Sequence, residues 1–503
     1  MFLRMFFNSP PIAGCRPPLL VTLMVACIAL AGCAPMVEVD NPADSDLMEV
    51  ELPLAQQNPL LSDAVMPAQW WQLFGDDTLN WLEQQAVEAS PERQLAALQV
   101  AAQVARLGLV ESQGNPQLGM GAEYSRSGIS ENSPNARIGG SPKAHDYWEL
   151  GVQASWELDL FGYLDQLEQG ARERAMASRF NQQAVAISNA AAIARHYMLL
   201  RVSEQQLRWS QQRVALYQTL VELTQSRVRN GVATETDVAK VQAQLASAQA
   251  DLAPLRQQRE RQQNLLEQML GLKPHALDQR LASGVSLPQL PEAVPVGIPS
   301  SEVRKRPDIL RAEAQLKAAL ADLGAAQADF YPRLRLTGSY DREAFELNDL
   351  GSWGSRAFSV GPSLYLPIFQ GGRLRRTLEL ADVSQQQAAI RYVTTVLDAW
   401  HEVDDALNTH QLMAQRYTRL NEALERQREA YTRTEHAEDE GYASRMDVLQ
   451  AQLDLIARSQ QQAAGQTEAA LSIVSLYRSL GGGWQQQALE TGDSEQVAAG
   501  KAL

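Results

Sequence analysis

The sequence predicts a mainly α-helical chain that also supplies strands to a transmembrane β-barrel, from a duplicated β-β-α unit giving four strands per chain. Three observations lead there. First, residues 147–162, YWELGVQASWELDLFG, alternate with a period of two. Trp148, Leu150, Val152, Ala154, Trp156 and Leu158 share one face, and Tyr147, Glu149, Gly151, Gln153, Ser155 and Glu157 share the other, because successive strand side chains point to opposite sides. Second, two stretches of 68 residues, 163–230 and 373–440, contain no proline and a single glycine, Gly170, between them. Third, the chain repeats itself: SPERQLAALQVAAQVARLGLVESQGNPQLGMGAEY at 90–124 aligns without gaps on RPDILRAEAQLKAALADLGAAQADFYPRLRLTGSY at 306–340.

The N-terminus comes first in order. Residues 1–18 carry Arg4 and Arg16 and no acid, Leu19–Leu30 is apolar, and LAGC follows at 30–33. This reads as a secretory signal over 1–32, too short in its apolar part to span a bilayer as a helix. LAGC also resembles the lipobox of bacterial lipoproteins, which implies that Cys33 is acylated as the first mature residue. Ala34 in place of Asp implies, by the same resemblance, the outer rather than the inner membrane. Cys15, Cys27 and Cys33 are the only cysteines, so the mature chain would hold one acylated thiol and no disulfide or cysteine-ligated metal. Loss of Arg4 and Arg16 takes the formal charge from −15 to −17, which argues against nucleic acid as a partner. No later segment approaches 18 consecutive apolar residues, so a membrane crossing would have to be made by strands.

Two copies, 91–271 and 307–481, then follow an anchor and belt segment at 33–90. A Pro- and Gly-rich linker at 272–306 joins them, and a tail at 482–503 ends the chain. NGVATETDV (230–238) matches EGYASRMDV (440–448), and LLEQMLG (265–271) matches SLYRSLG (475–481). A period of that length is too long for a solenoid and reads as one duplicated supersecondary unit. Each copy opens with a helix, 91–113 or 307–330, whose first turn holds a proline, where the missing N–H costs nothing. Two alternating runs follow. In the first copy Leu118, Met120, Ala122 and Tyr124 share a face, and the second run is the stretch at 147–162. In the second copy the faces are Leu334, Leu336, Gly338 and Tyr340, then Phe358, Val360, Pro362, Leu364 and Leu366. The long helices come next, each about 100 Å at ~1.5 Å per residue, stopped by Gly231 and Gly441 at the left-handed position after a helix. Return helices over 234–270 and 444–480 end at Gly271 and Gly481. Pro254 should kink the first of them, and the second has no counterpart. The Ala- and Gln-rich helix faces suit close antiparallel packing rather than a thick core.

Four strands cannot close. An open sheet in lipid strands its edge N–H and C=O groups at several kcal/mol each, and single-chain barrels begin at about eight strands. Two copies would give eight and three would give twelve, and only the larger comfortably leaves a lumen. Trp148 and Trp156, roughly 26 Å apart at ~3.3 Å per residue, would then sit in the aromatic girdles of a lipid-facing band about 25 Å tall. Glu149, Gln153 and Glu157 would face the lumen. A lipid-anchored periplasmic coiled-coil rod is the alternative in which the strands pack on a soluble core.

WWQLFGDDTLNWL (70–82), IPSSEVRKRPDILRAEAQL (298–316), DFYPRLRLTGSY (329–340), LPIFQGGRLR (366–375) and LYRSLGGGW (476–484) together resemble the outer-membrane efflux proteins of the TolC type, in their lipoprotein branch. The resemblance covers nearly the whole mature chain. It implies a homotrimer with a 12-stranded outer-membrane barrel continuing into a long α-helical periplasmic tunnel, with the flanking segments as a belt. It implies as partners a periplasmic adaptor (membrane fusion) protein, an inner-membrane pump and outer-membrane lipid. The implied function is a passive exit duct for small toxic compounds or drugs, with type I protein secretion as the competing cargo class.

In that family the tunnel narrows where long helix turns into return helix, here at 229–237 and 439–450. Met446 stands where the family often has an apolar ring. Gln450 stands where close relatives often carry Asp, a departure that leaves Asp447 and its repeat partner Asp237 to supply charge. Met446, Asp447, Gln450 and Asp237 are therefore the expected aperture residues. Stabilisation of an acid in the first helical turn is the alternative for the two aspartates. The tips Gly231, Val232, Ala233, Thr234 and Gly441, Tyr442, Ala443, Ser444, Arg445 are the expected adaptor contacts. WHEVDDAL holds His401, Glu402, Asp404 and Asp405 but lacks the second histidine of HExxH. No catalytic group, metal site or cofactor is expected, and export energy would come from the partners.

Overall fold

The computed structural model describes residues 60–138, 143–282, 287–297 and 299–482; Cys33 and the signal segment lie outside them. Helix α1 (Asp77–Ala89) precedes two copies of one unit. The first copy is α2 (Pro91–Glu111), β1 (Gln117–Ser127), β2 (His145–Leu158), α3 (Tyr163–Arg229), α4 (Glu235–Ala250) and α5 (Leu252–Met269). The second is α6 (Pro307–Ala328), β3 (Arg333–Ala344), β4 (Arg356–Tyr365), α7 (Arg373–Asp439) and α8 (Arg445–Ser479). The two long helices span 67 residues each. Gly162 and Gly372 open them with φ of 76° and 89°, conformations that cost a residue without Cβ little. The first return helix breaks at Asp251 while α8 runs unbroken. The break lies just ahead of Pro254, whose ring would clash with the Ala250 carbonyl in a continuous helix.

The four strands form one antiparallel sheet in the order β1-β2-β3-β4, so β1 and β4 are its edges. The register puts Tyr124 opposite Trp148, Val152 opposite Tyr340, and Tyr340 opposite Phe358. The four alternating apolar faces expected from the sequence thus coincide on one side of the sheet. Beneath it, α6 packs between α3 and α7, whereas α2 packs on α3 alone among the long helices. The difference shows in burial. Ile309, Leu316 and Leu323 of α6 are buried, while Leu95, Leu98 and Leu109 of α2 are bare.

The thickest core lies where the segment before α1 and the inter-repeat linker wrap the helices. Leu61–Ser62 pairs in parallel with Val294–Pro295, and the Trp70 ring stacks on Tyr477 at 5.3 Å. Asp76 caps α1 by accepting from the Thr78 and Leu79 amides at 2.9 Å. It also accepts from the Tyr197 hydroxyl at 2.7 and 2.8 Å. Arg201, 1% exposed, donates to that hydroxyl at 3.0 Å, to Glu204 at 2.9 Å and to the Leu281 carbonyl at 3.1 Å. One buried guanidinium therefore ties segment, long helix and linker together. Such a charge is tolerable only because its donors are matched. Among the described residues no helix is long and apolar enough to cross a membrane.

Candidate functional site

The sheet has two chemically distinct faces. On one, Leu118, Met120, Leu150, Val152, Tyr340, Phe358 and Val360 are exposed, a contiguous apolar surface that a soluble monomer rarely leaves bare. It has clear limits. The Tyr124 and Trp148 rings meet at a tilt of 37°, their centres 4.3 Å apart, and the next pair outward is an ion pair, Arg126–Asp146 at 3.3 Å. At the helical end the Trp156 indole donates to the Gly114 carbonyl at 2.8 Å. Both tryptophans therefore sit on the apolar face near its ends, each with a polar neighbour, as amphipathic rings do at a lipid–water boundary.

The opposite face is small and polar: Gly119, Gly121, Glu123, Glu149, Gln153, Thr337, Ser339 and Ser359 among others. Gly151 makes room for Asp341 here, because a Cβ would displace the Asp341 side chain and approach its Cα to 3.1 Å. Charges gather where strands become helices. Glu157 pairs with Arg335 at 3.1 Å, Asp329 pairs with Arg333 at 2.5 Å and Arg373 at 3.4 Å, and the Arg333 guanidinium lies 3.9 Å from the Tyr163 ring centre. Asp159 caps α3, accepting from the Tyr163 and Asp165 amides at 2.8 Å. These contacts fix the angle between sheet and helices.

At the far end the two hairpin tips are built alike. Gly231 (φ 73°) and Gly441 (φ 84°) end the long helices, and the amides of Val232 and Tyr442 return to the carbonyls of Arg227 and Ala437 at 2.9 and 2.7 Å. Thr234 and Ser444 then start the return helices with capping boxes. The Asp237 carboxylate accepts from the Thr234 amide at 3.0 Å and hydroxyl at 2.7 Å. Asp447 accepts from Ser444 in the same way, at 2.8 and 2.6 Å. Those hydrogen bonds hold both carboxyls below the usual aspartate range, with Arg227 adding to the effect at Asp447 and Lys240 at Asp237. Both aspartates thus have a complete local role; Asp447 remains exposed and Asp237 partly so.

Met446 is half-buried against Leu220, Leu449 and Leu453, in the seam between α3 and α8, and its sulfur touches the Arg227 guanidinium. Gln450 is exposed one turn on and donates to Asp454 at 3.2 Å. Met446, Asp447 and Gln450 therefore share the first turns of α8, while Asp237 belongs to the other tip. Val232 and Tyr442 project from the two apices, 63% and 85% exposed, and Arg445 pairs with Glu438 at 3.2 Å. Arg227 and Asp454 were not singled out from the sequence. A basic residue in the last turn of a long helix, beside the repeat's matched turn, was the available signal for Arg227. Among the described residues there is no group of three or more His, Cys, Asp or Glu able to hold a metal ion.

The sequence profile of the outer membrane efflux proteins matches residues 82–272 and 298–482. The solvent efflux pump outer membrane protein SrpC of Pseudomonas putida is 29% identical over 467 residues, covering 92% of this chain and 97% of its own. The cation efflux system protein CusC of Escherichia coli O6:H1 is 28% identical over 475 residues, covering 92% and 99%. Among solved structures, the outer-membrane channel OprN superposes with a TM-score of 0.77 at 27% identity, over 86% of this chain and 96% of that one. Sheet, long helices and matched segments agree: this chain belongs to the outer membrane efflux protein family.

Proposed function

We propose that this chain is the passive outer-membrane duct of a tripartite efflux assembly, three copies closing one 12-stranded barrel that continues into a periplasmic helical tunnel. The observation that carries the reading is the open antiparallel sheet, with a bare apolar face and two unpaired edges, set on helices about 100 Å long. Lipid can cover the face but cannot satisfy the edges. Because direction alternates from β1 to β4, the β4 of one copy meets the β1 of the next antiparallel, and the ladder continues without interruption. Two copies would make a barrel whose side chains fill its interior, whereas three leave a lumen.

In this reading Trp148 and Trp156 mark the two lipid boundaries, Glu149, Gln153 and Glu157 line the lumen, and acylated Cys33 tethers the chain to outer-membrane lipid. The tips Gly231–Thr234 and Gly441–Arg445 receive the periplasmic adaptor, with Val232 and Tyr442 as apolar contacts. Met446, Asp447, Gln450 and Asp237 surround the aperture, and an inner-membrane pump supplies the energy. The names of SrpC and CusC, a solvent and a cation system, favour small solutes over proteins as cargo. The test is the mass of the detergent-solubilised, lipidated particle together with its conductance in planar bilayers. Three copies and stable channels are expected. A monodisperse single chain without conductance would overturn the reading.

A further inference from the structure

The charges that gather where strands become helices line a cavity of about 530 Å³ on the polar face of the sheet. We propose that this cavity is a binding station for organic anions, above all small aromatic carboxylates, on the wall of the duct. Its place on a duct wall rests on the barrel proposed above, whereas the site itself is built within one chain.

Glu157 faces Arg335, Arg335 faces Ser363, and Arg333 faces Tyr365 across the strands. All five therefore lie on the side away from Trp156 and Leu336. Arg373 joins them from the first turn of α7 and Asp329 from the end of α6. Three guanidiniums thus share two carboxylates, a surplus of one positive charge in a chain of formal charge −15. Depth adds to the surplus. The Glu157 and Asp329 side chains are 18% and 15% exposed, those of Arg335 and Arg373 57% and 56%. The acids form the back of the cavity and these two arginines its front, so a solute meets guanidinium first. Glu157 takes one Arg335 donor at 3.1 Å, and Asp329 and Gln370 take one Arg373 donor each, at 3.4 and 2.8 Å. A guanidinium has five donors, which leaves each fork able to hold a second carboxylate. Beside them the exposed Tyr365 ring, its hydroxyl accepting from Gln370 at 3.0 Å, offers a flat apolar wall to an aromatic body.

The angle between sheet and helices does not by itself demand this charge. Gln117 faces Ser155 in the first hairpin as Arg333 faces Tyr365 in the second, and Gly162 opens α3 as Gly372 opens α7. The first repeat therefore makes the same turn with Gln117, Gly119 and Tyr163 at the positions of Arg333, Arg335 and Arg373. It also carries Asp159 at the start of its long helix, where the second repeat carries the exposed Phe369. The second repeat adds guanidiniums and withholds an acid, and a bound carboxylate would supply the missing negative charge. Arg333 is the structural member of the three, paired with Asp329 and lying over the Tyr163 ring. Binding at so open a site is weak, as a conducted solute requires, since it must also leave.

The test uses the full chain in detergent, with benzoate as probe and uncharged benzamide as control, followed by saturation-transfer NMR. Expected is saturable benzoate binding, several-fold tighter than benzamide and weakened by added salt. The double variant Arg335→Gln with Arg373→Gln alters two exposed side chains and should lose benzoate binding several-fold. Arg335→Lys with Arg373→Lys, which keeps the charges and removes the forks, should fall between. Conductance in planar bilayers is recorded on the same preparation. Equal binding of benzoate and benzamide, or benzoate binding unchanged in the Gln double variant, overturns the station, and conducting channels in that preparation leave the duct standing. Benzoate held through these arginines by a single chain without conductance overturns the duct reading and with it the station's place on a path.

Discussion

Tyr197→Phe removes one hydroxyl and keeps the ring, which is fully buried. That hydroxyl donates to Asp76 and accepts from Arg201. Burial pushes the phenol well above its ordinary value, so it stays a neutral donor at any working pH. Asp76 retains its two capping amides, so α1 should still form. What is lost is its link to α3 and the acceptor for the Arg201 Nε–H. A hydrogen bond to a charged group is worth about 1.5–3 kcal/mol, and an orphaned buried donor costs about 1–3 kcal/mol. Because Asp76 keeps other partners, the combined effect should fall near 2–4 kcal/mol. At ~1.4 kcal/mol per tenfold, local opening of residues 70–89 would rise roughly 30- to 700-fold. Amide hydrogen exchange followed by mass spectrometry reads this directly, with the tips at 229–237 as an internal control. Exchange in 70–89 unchanged, or raised equally at the tips, would refute the view that this hydroxyl fastens the belt to the long helix.

Four further predictions concern the tips, the helical core and the sheet. If Asp447 and Gln450 lie at the aperture, Asp447→Ala and Gln450→Ala should each change single-channel conductance; two unchanged values would remove both from the constriction. The depressed carboxyls of Asp237 and Asp447 stabilise the tips above the ordinary carboxylate range, ~3.9, and that contribution is lost as pH falls through their folded values. Tip exchange should accelerate only in acid, and Asp237→Ala should show the fast rate already at pH 7. His410, buried with Nδ1 3.1 Å from the Ser472 hydroxyl and Nε2 without a partner, has its imidazole lowered by burial to about 4. The fold therefore favours the neutral ring. Stability should be fully present above pH ~6.5 and fall by up to about 3 kcal/mol as pH drops towards 4, a slope that His410→Leu should flatten in thermal melts. If three copies close the proposed barrel, Val152→Arg, mid-strand on the apolar face, should cost about 2–4 kcal/mol per copy in lipid and reduce the three-copy assembly on gels, whereas Gln153→Arg on the opposite face should assemble.

Much of this architecture is legible in the sequence because its signals are local. Period-two alternation placed the strands and their apolar sides. Proline-free runs closed by Gly231 and Gly441 bounded the long helices to within a residue, and Pro254 announced the one break. The repeat aligned two units that proved to share a hairpin register. What the chain alone left open depends on groups far apart in sequence meeting in space. The alternation of β2 says nothing about its partner, and only the fold pairs Val152 with Tyr340 and leaves β1 and β4 as edges. Helix spacing alone puts Tyr197 and Glu204 beside Arg201, but nothing near it indicates that the Leu281 carbonyl, or Asp76 through Tyr197, will meet it in the interior. Asp237 and Asp447 could be read as pore charges or as helix caps, and geometry supplied the capping hydrogen bonds. Met446 stands in a matched turn by sequence, but packing against Leu220 and Leu453 decides which way it points. Local backbone preference is written residue by residue, whereas burial and pairing are properties of the assembled chain.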